Sequence, residues 1–386
     1  MYQYFNHKTN CIVTFCLIAV CFFSCQTNRP YYANKQAKID SLDLQKTPDF
    51  NLFLIGDAGA AEKTKGGTAI NYLGKLIPDK SINPPKSCAL IFLGDNVYPK
   101  GMPKPTHEKR NEAENALKPS LEVAKKCFGK RIFIPGNHEW YNDPQDEADY
   151  IFSQDSTIEF LPANNCPGPV VPIKAKNFSV IIIDSQWFLQ NQKSNINTCK
   201  QSDSIFWKNL ADTLQTYQNK PIILIGHHPL ISNGHHGGYY HWLDHIFPIR
   251  QITPYGFIPL PVIGTIMCLT RKWIGHNTDL SNARYREFSK KMIHLIGTFP
   301  NIHYVSGHDH NLQFHHLLPK NFDIQHPFSH TVSGSGSKSS YVGKRNHALF
   351  TAQRRGFAVI SVIADTFFMT IYDAENECIL FRRLLF

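Results

Sequence analysis

Five short motifs recur along the chain, and each sets a metal-ligating side chain just after an apolar run closed by glycine. They are Gly56-Asp57-Ala58-Gly59, Gly94-Asp95-Asn96-Val97-Tyr98, Gly136-Asn137-His138-Glu139, Gly226-His227-His228-Pro229 and Gly307-His308-Asp309-His310. The runs before them, residues 50–55, 88–93, 131–135, 221–225 and 302–305, have the length and content of buried β-strands. Residues 178–183 form a further such run and deliver Asp184. Between the runs, residues 67–76, 108–128 and 202–216 read as helices, the second interrupted near Pro119. Strands alternating with helices imply α/β layering, in which ligands gather at the carboxyl ends of strands. All five motifs fall at such ends.

The C-terminal part reads differently. Residues 330–333, 357–363, 367–372 and 379–385 look like successive antiparallel strands with no helices between them. The expected fold is therefore an α/β four-layer sandwich of two mixed β-sheets flanked by helices, not one doubly wound sheet. The glycine and serine cluster at 333–340 is a loop, and a flexible linker is as good a reading of it as a substrate role.

With 42% hydrophobic and 12% aromatic residues in 386, the chain can pack a large core. Its net charge of +10 suits an anionic substrate or surface, but the basic residues are scattered. No helix-turn-helix or zinc-finger spacing is present, so no nucleic-acid partner is expected.

Lys8 precedes an uncharged apolar run at 11–24, too short to span a bilayer comfortably and suited to a secretory signal. Phe22-Phe23-Ser24-Cys25 resembles a bacterial lipoprotein cleavage box, departing from it by Phe22 where leucine is usual. That resemblance implies a signal peptide at 1–24, lipidation of Cys25 and a polar tether over 25–48, and the strand pattern sets a domain over 49–386. The expected location is the bacterial cell envelope, with a membrane lipid anchor. Of the remaining cysteines, Cys166 and Cys199 are the favoured disulfide pair, and no cysteine has zinc-site spacing.

An apolar insertion at about 239–280 breaks the pattern. No charge occurs between Arg250 and Arg271, yet Pro254, Gly256, Pro259, Pro261 and Gly264 argue against a membrane-spanning helix. Two readings stay open: a segment that caps the site or touches a membrane surface, and an apolar loop that covers the core.

The motif residues suit phosphate-ester hydrolysis, whose barrier can require acceleration up to about 10²¹-fold, where one acid or base supplies roughly 10²- to 10⁴-fold. Two metal ions can polarise the phosphate, activate a water as hydroxide and clamp the displacement. Asp57, Asp95, Tyr98, Asn137, His227, His308 and His310 offer the donors. His308 and His310, two residues apart, point to one side of an extended segment.

From residue 50 to the C-terminus, the insertion apart, the chain resembles the calcineurin-like metallophosphoesterases, and within them the tartrate-resistant type of purple acid phosphatase. Gly307-His308-Asp309-His310-Asn311-Leu312-Gln313 and the Tyr98 of Gly-Asp-Asn-Val-Tyr carry the likeness. Most of the wider superfamily lacks that tyrosine and has a histidine where this chain has Gly59. The resemblance implies a ferric ion held by Asp57, Tyr98 and His310, bridged through Asp95 to a divalent iron, zinc or manganese ion on Asn137, His227 and His308. It implies His138 as the residue that protonates the leaving oxygen, and His236 as a second substrate-side histidine. The implied reaction is phosphomonoester hydrolysis by metal-bound hydroxide. The alternatives are a phosphodiesterase, a nucleotide or lipid-phosphate hydrolase, and a non-catalytic phosphate- or metal-binding surface lipoprotein. Glu139 and Asp184 read as structural acids rather than ligands.

Overall fold

The computed structural model describes residues 29–33, 47–60, 67–77, 87–190, 199–251, 255–344 and 347–386. The chain divides into Met1–Pro30 and Tyr31–Phe386. The signal segment and Cys25 lie outside the described residues.

Fifteen strands, numbered in chain order among the described residues, make two mixed sheets. One runs β15 (Cys378–Leu384), β14 (Thr366–Asp373), β13 (Gly356–Ile363), β2 (Phe50–Ile55), β3 (Ser87–Phe92), β4 (Lys130–Phe133), β5 (Glu159–Phe160). The other runs β1 (Tyr31–Tyr32), β12 (Ala348–Ala352), β10 (Leu312–Leu317), β11 (Phe328–Ser333), β9 (Ile302–Ser306), β8 (Ile222–Ile225), β7 (Ser179–Ile182), β6 (Val170–Lys174). Because side chains alternate along a strand, each run serves two apolar layers. Leu52 and Leu54 face the layer between the sheets, with Ile223, Ile225 and Val305. Phe53 and Ile55 face outward and pack under the helices Thr68–Leu76 and Arg110–Ala124. On the other side, Ile222 and Leu224 pack under Asp203–Tyr217 and Ala283–Ile296. Each such side chain contributes about 1.5–3 kcal/mol by leaving water. The result is helix, sheet, sheet, helix, as the alternation implied.

The central strands of each sheet are parallel, β2 to β3 to β4 and β7 to β8 to β9, so their carboxyl ends share one rim. That rim carries the five motifs.

Four details differ from the sequence reading. The helix Arg110–Ala124 runs through Pro119 unbroken. Pro119 sits on its half-exposed side, while Ala113, Ala116, Leu117 and Leu121 anchor the opposite face in the core. Residues 330–333 do not begin an antiparallel series. They lie in β11, parallel to β9 and antiparallel to β10, in the sheet opposite β13 to β15. Apolar alternation shows that a strand is buried on both faces but not which sheet receives it. The expected tether contributes an edge strand: Tyr31 and Tyr32 pair with Thr351 and Phe350, and the Tyr32 hydroxyl donates to the Leu380 carbonyl at 2.9 Å. Finally, the insertion is no loop over the core. It forms short helical turns and the helix Pro261–Trp273, whose apolar side chains largely face outward. No helix among the described residues is long and apolar enough to cross a membrane. A disulfide joins Cys166 and Cys199, the pair the sequence favoured, and among the described residues Cys88, Cys127, Cys268 and Cys378 form no disulfide.

Candidate metal centre

The strand ends meet through backbone contacts that only small or specially bent residues allow. Gly59 lies against the second motif: its N–H donates to the Asp95 carbonyl at 3.0 Å, and a Cβ there would stand 2.6 Å from the Val97 nitrogen. Asp57, Asp95 and His308 take positive φ values of 60°, 55° and 69°. Such left-handed conformations cost a non-glycine residue of order 1–3 kcal/mol, so the surrounding contacts must hold them. They do so reciprocally. Asp57 Oδ2 accepts the His308 N–H at 2.7 Å, and Asp95 Oδ1 accepts that of His138 at 3.0 Å.

Two groups of donor atoms result, and Asp95 belongs to both. In the first, the Tyr98 hydroxyl stands 3.0 Å from Asp57 Oδ1, 3.3 Å from Asp95 Oδ2 and 3.1 Å from His310 Nε2. In the second, His227 Nε2 stands 3.4 Å from Asp95 Oδ1 and 3.3 Å from Asn137 Oδ1. Asp57, Asp95 and His227 offer ligand atoms within 4.8 Å of one another, and so do His227, His228 and His308.

Hydrogen bonds behind the histidines decide which nitrogen each presents. His227 Nδ1 donates to the Leu93 carbonyl at 2.7 Å, leaving Nε2 for the centre. His308 Nε2 donates to the Thr278 carbonyl at 2.8 Å, leaving Nδ1 buried and without a hydrogen-bond partner. His228 Nε2 is likewise buried and unpartnered, its Nδ1 being engaged with Ser185 Oγ at 2.8 Å. Orphaned nitrogens in a buried polar cluster are costly unless something binds them. A cation fits that requirement, and the mixed oxygen and imidazole donor set suits first-row metals.

The sequence model of the calcineurin-like phosphoesterases matches residues 50–253, just over half of the 386-residue chain. The chain belongs to that family. Proteins of the calcineurin-like phosphoesterase family characteristically hold two metal ions, and the two donor groups sharing Asp95 are candidate ligands for them. Among solved structures, the chain resembles GAP50, the anchor in the inner membrane complex of Plasmodium, with 16% identity and a TM-score of 0.51 over 87% of this chain and 88% of that one. PhoD aligns with 11% identity and a TM-score of 0.48 over 86% of this chain and 71% of that one. No curated protein matches by sequence.

Burial and close opposite charges shift the ionisable groups of this calcineurin-like phosphoesterase centre. Burial pushes the Tyr98 phenol well above its ordinary pKa, and the flanking Asp57 and Asp95 push it further. Burial opposes ionisation of Asp95, but the adjacent His227 and His138 outweigh it and hold the carboxyl well below the usual range. Burial likewise disfavours a charge on His227, yet Asp95 and Asp57 lift it to about 9. His308 and His228 are pushed well below ordinary histidine, by burial first and then by neighbouring imidazoles. Both therefore present neutral lone pairs.

The structure gathers Asp57, Asp95, Tyr98, Asn137, His227, His308 and His310 at one rim. His138 stands beside them, its ring edge-on to Tyr98 with centroids 4.5 Å apart and its Nδ1 donating to the Pro99 carbonyl at 2.5 Å. The His236 ring lies 4.1 Å from that of His308. Asp184 stays outside, accepting from Trp140 Nε1 and the Gln186 and Trp187 N–H groups, as a structural acid would.

Other contributors were less legible. Glu139, buried and read as a non-ligating acid, accepts backbone N–H groups from Gly136, Asp95, Asn96 and Val97 and so ties the second motif to the third. The residues at 333–340 are no free linker. Ser337 donates both its N–H and its hydroxyl to the Asp57 carbonyl, and Lys338 Nζ stands 3.6 Å from the Tyr98 ring centroid. From the insertion comes buried Asp279, which takes His236 Nδ1 at 3.0 Å and Arg271 through both oxygens, at 2.6 and 3.0 Å. Only Glu139 carried a sequence signal, by following His138 directly.

Proposed function

We propose that the protein is an exported, lipid-anchored binuclear phosphomonoesterase of the purple acid phosphatase type. The observation that carries the binuclear centre is the position of Asp95, which turns one carboxylate oxygen toward Tyr98 and the other toward His227; export and the lipid anchor rest on the sequence of residues 8–25. Asp57, Tyr98 and His310 would hold a ferric ion, Asp95 would bridge, and Asn137, His227 and His308 would hold a divalent iron, zinc or manganese ion. When bound, such a pair polarises the phosphate and makes a nucleophile of water at neutral pH.

The chain's own residues do the rest. His138 has its Nδ1 proton committed to Pro99, so Nε2, 3.7 Å from Asp95 Oδ2, is the nitrogen that can pass a proton to the leaving oxygen. His236 has Nδ1 committed to Asp279, which directs its Nε2 to the substrate side. Lys338 adds a cation at the rim, beside Tyr98, where an anionic ester arrives. Glu139 keeps the Asp95 and Asn137 loops in register.

A chromogenic phosphomonoester assayed beside the matching diester tests this reading. Faster turnover of the monoester supports it. A preference for the diester moves the protein to the phosphodiesterases, and no turnover with bound metal leaves a binding protein.

A further inference from the structure

Eight of the large apolar residues most exposed in the described structure lie between Tyr255 and Ile274, where Tyr255 is 91% exposed, Val262 71% and Trp273 69%. They are not scattered. The helix Pro261–Trp273 packs inward through Gly264 and Cys268, against the backbone of Asp244 and His245. At 100° per residue, Val262, Ile266 and Trp273 fall on the opposite side, so the face turned away from the protein is the apolar one. A soluble helix normally does the reverse, and an exposed patch of this kind marks a contact surface.

We propose that this face docks on a phospholipid bilayer bearing anionic head groups. Three observations select that occupant. The first is charge: from residue 245 to 278 there is no aspartate or glutamate, while Arg250 and Lys272 are present and Arg271 is already paired with Asp279. Cations beside an apolar face suit anionic lipid, and an acid there would oppose it. The second is composition: Tyr255 and Trp273 are exposed among aliphatic residues, and tyrosine and tryptophan favour the head-group level of a bilayer. The third is where the chain enters the domain. Tyr31 pairs with Thr351, whose hydroxyl donates to the Gly343 carbonyl, and Gly343 packs on Tyr239, at the start of the insertion. On the lipidation reading, Cys25 precedes Tyr31 by six residues, a span of at most about 20 Å. A bilayer holding Cys25 is then within reach of the insertion.

Docking there also bears on the substrate. The segment's far end supplies Thr278 and Asp279 to His308 and His236, and Lys272 packs on Gly238, two residues after His236. The apolar face thus adjoins the substrate side of the centre, and phosphate monoesters resident in or near the bilayer become the favoured substrates. That consequence rests on the proposed phosphatase reading and the third observation on the proposed lipid anchor; the charge and composition of the face rest on neither.

The test uses the full chain reconstituted in vesicles of phosphatidylcholine and phosphatidylglycerol, with and without brominated acyl chains that quench tryptophan at short range. The expected result is quenching that is lost in Trp273→Phe, and lost also in Ile263→Asp with Ile266→Asp while the chain stays vesicle-bound. Exposed positions tolerate such changes, and hydrolysis of a soluble monoester by the same variants reads the catalytic proposal separately. Equal emission from Trp273 over brominated and plain vesicles would overturn the proposal. So would self-association in the absence of vesicles that the Ile263→Asp, Ile266→Asp pair abolishes, because a second copy would then cover the face.

Discussion

The strand-end loops and the insertion at 239–280 border the same centre by different means. The loops are held by one another: Asp57 grips His308, Asp95 grips His138, and Glu139 grips the backbone of two motifs, with every one of these residues but the half-buried His138 away from water. Among the described residues the insertion reaches the centre at its end, through the Thr278 carbonyl, the Asp279 carboxylate and the Leu280 N–H, and turns most of its apolar surface outward. A donor set can be rigid only where every position is over-determined, which is what the loops supply. An added segment can tune such a centre without building it.

That contrast orders the expected effects. Asp95→Asn removes the one carboxylate shared by both donor groups, and kcat/KM should fall by at least about 10³-fold with loss of bound metal, read by steady-state kinetics and elemental analysis. A smaller loss would mean that the two groups work independently. Glu139→Gln leaves four backbone N–H groups facing a neutral amide. Thermal unfolding should show a loss of about 2–4 kcal/mol, and metal affinity should drop roughly 10- to 100-fold although no ligand has changed. Asp279→Asn should lower kcat/KM only about tenfold at unchanged metal content, with Asp279→Glu recovering part of it. Metal loss in Asp279→Asn would break the contrast, because the insertion would then be part of the centre's construction.

The smallest effect on turnover belongs to Asp184, a strand-end aspartate outside the chemistry. Burial outweighs the hydrogen bonds it accepts and raises its carboxyl from 3.8 to about 7. With the folded value above the unfolded one, its contribution to stability is full below about pH 4 and is lost as pH rises through about 7. Relative to Asp184→Asn, the wild type should therefore become steadily less stable between those limits, in melting curves across pH, with turnover unchanged at neutral pH.

What was legible in the sequence follows the same division. Apolar runs ended by glycine and a ligand residue announced the rim, because both layers of the sandwich need two-faced strands and the parallel strands end together. The alternation could not say that β11 would slot between β9 and β10, since pairing partners are chosen by topology. Pro119 looked like a break because its missing donor is local information, while the packing that keeps the helix whole is not. Glu139 was visible as a non-ligating acid beside His138, but the backbone N–H groups it binds leave no residue pattern to find. Thr278 and Asp279 became visible only once the insertion folded back, and Lys338 only once its loop lay against Tyr98.

The most direct measurement is the visible absorption spectrum and metal content of the purified chain beside Tyr98→Phe. The account predicts two metals per chain, iron among them, and a charge-transfer band that disappears when Tyr98 loses its hydroxyl. A chain that binds no metal when supplied with iron and zinc, or a band that survives in Tyr98→Phe, would contradict it.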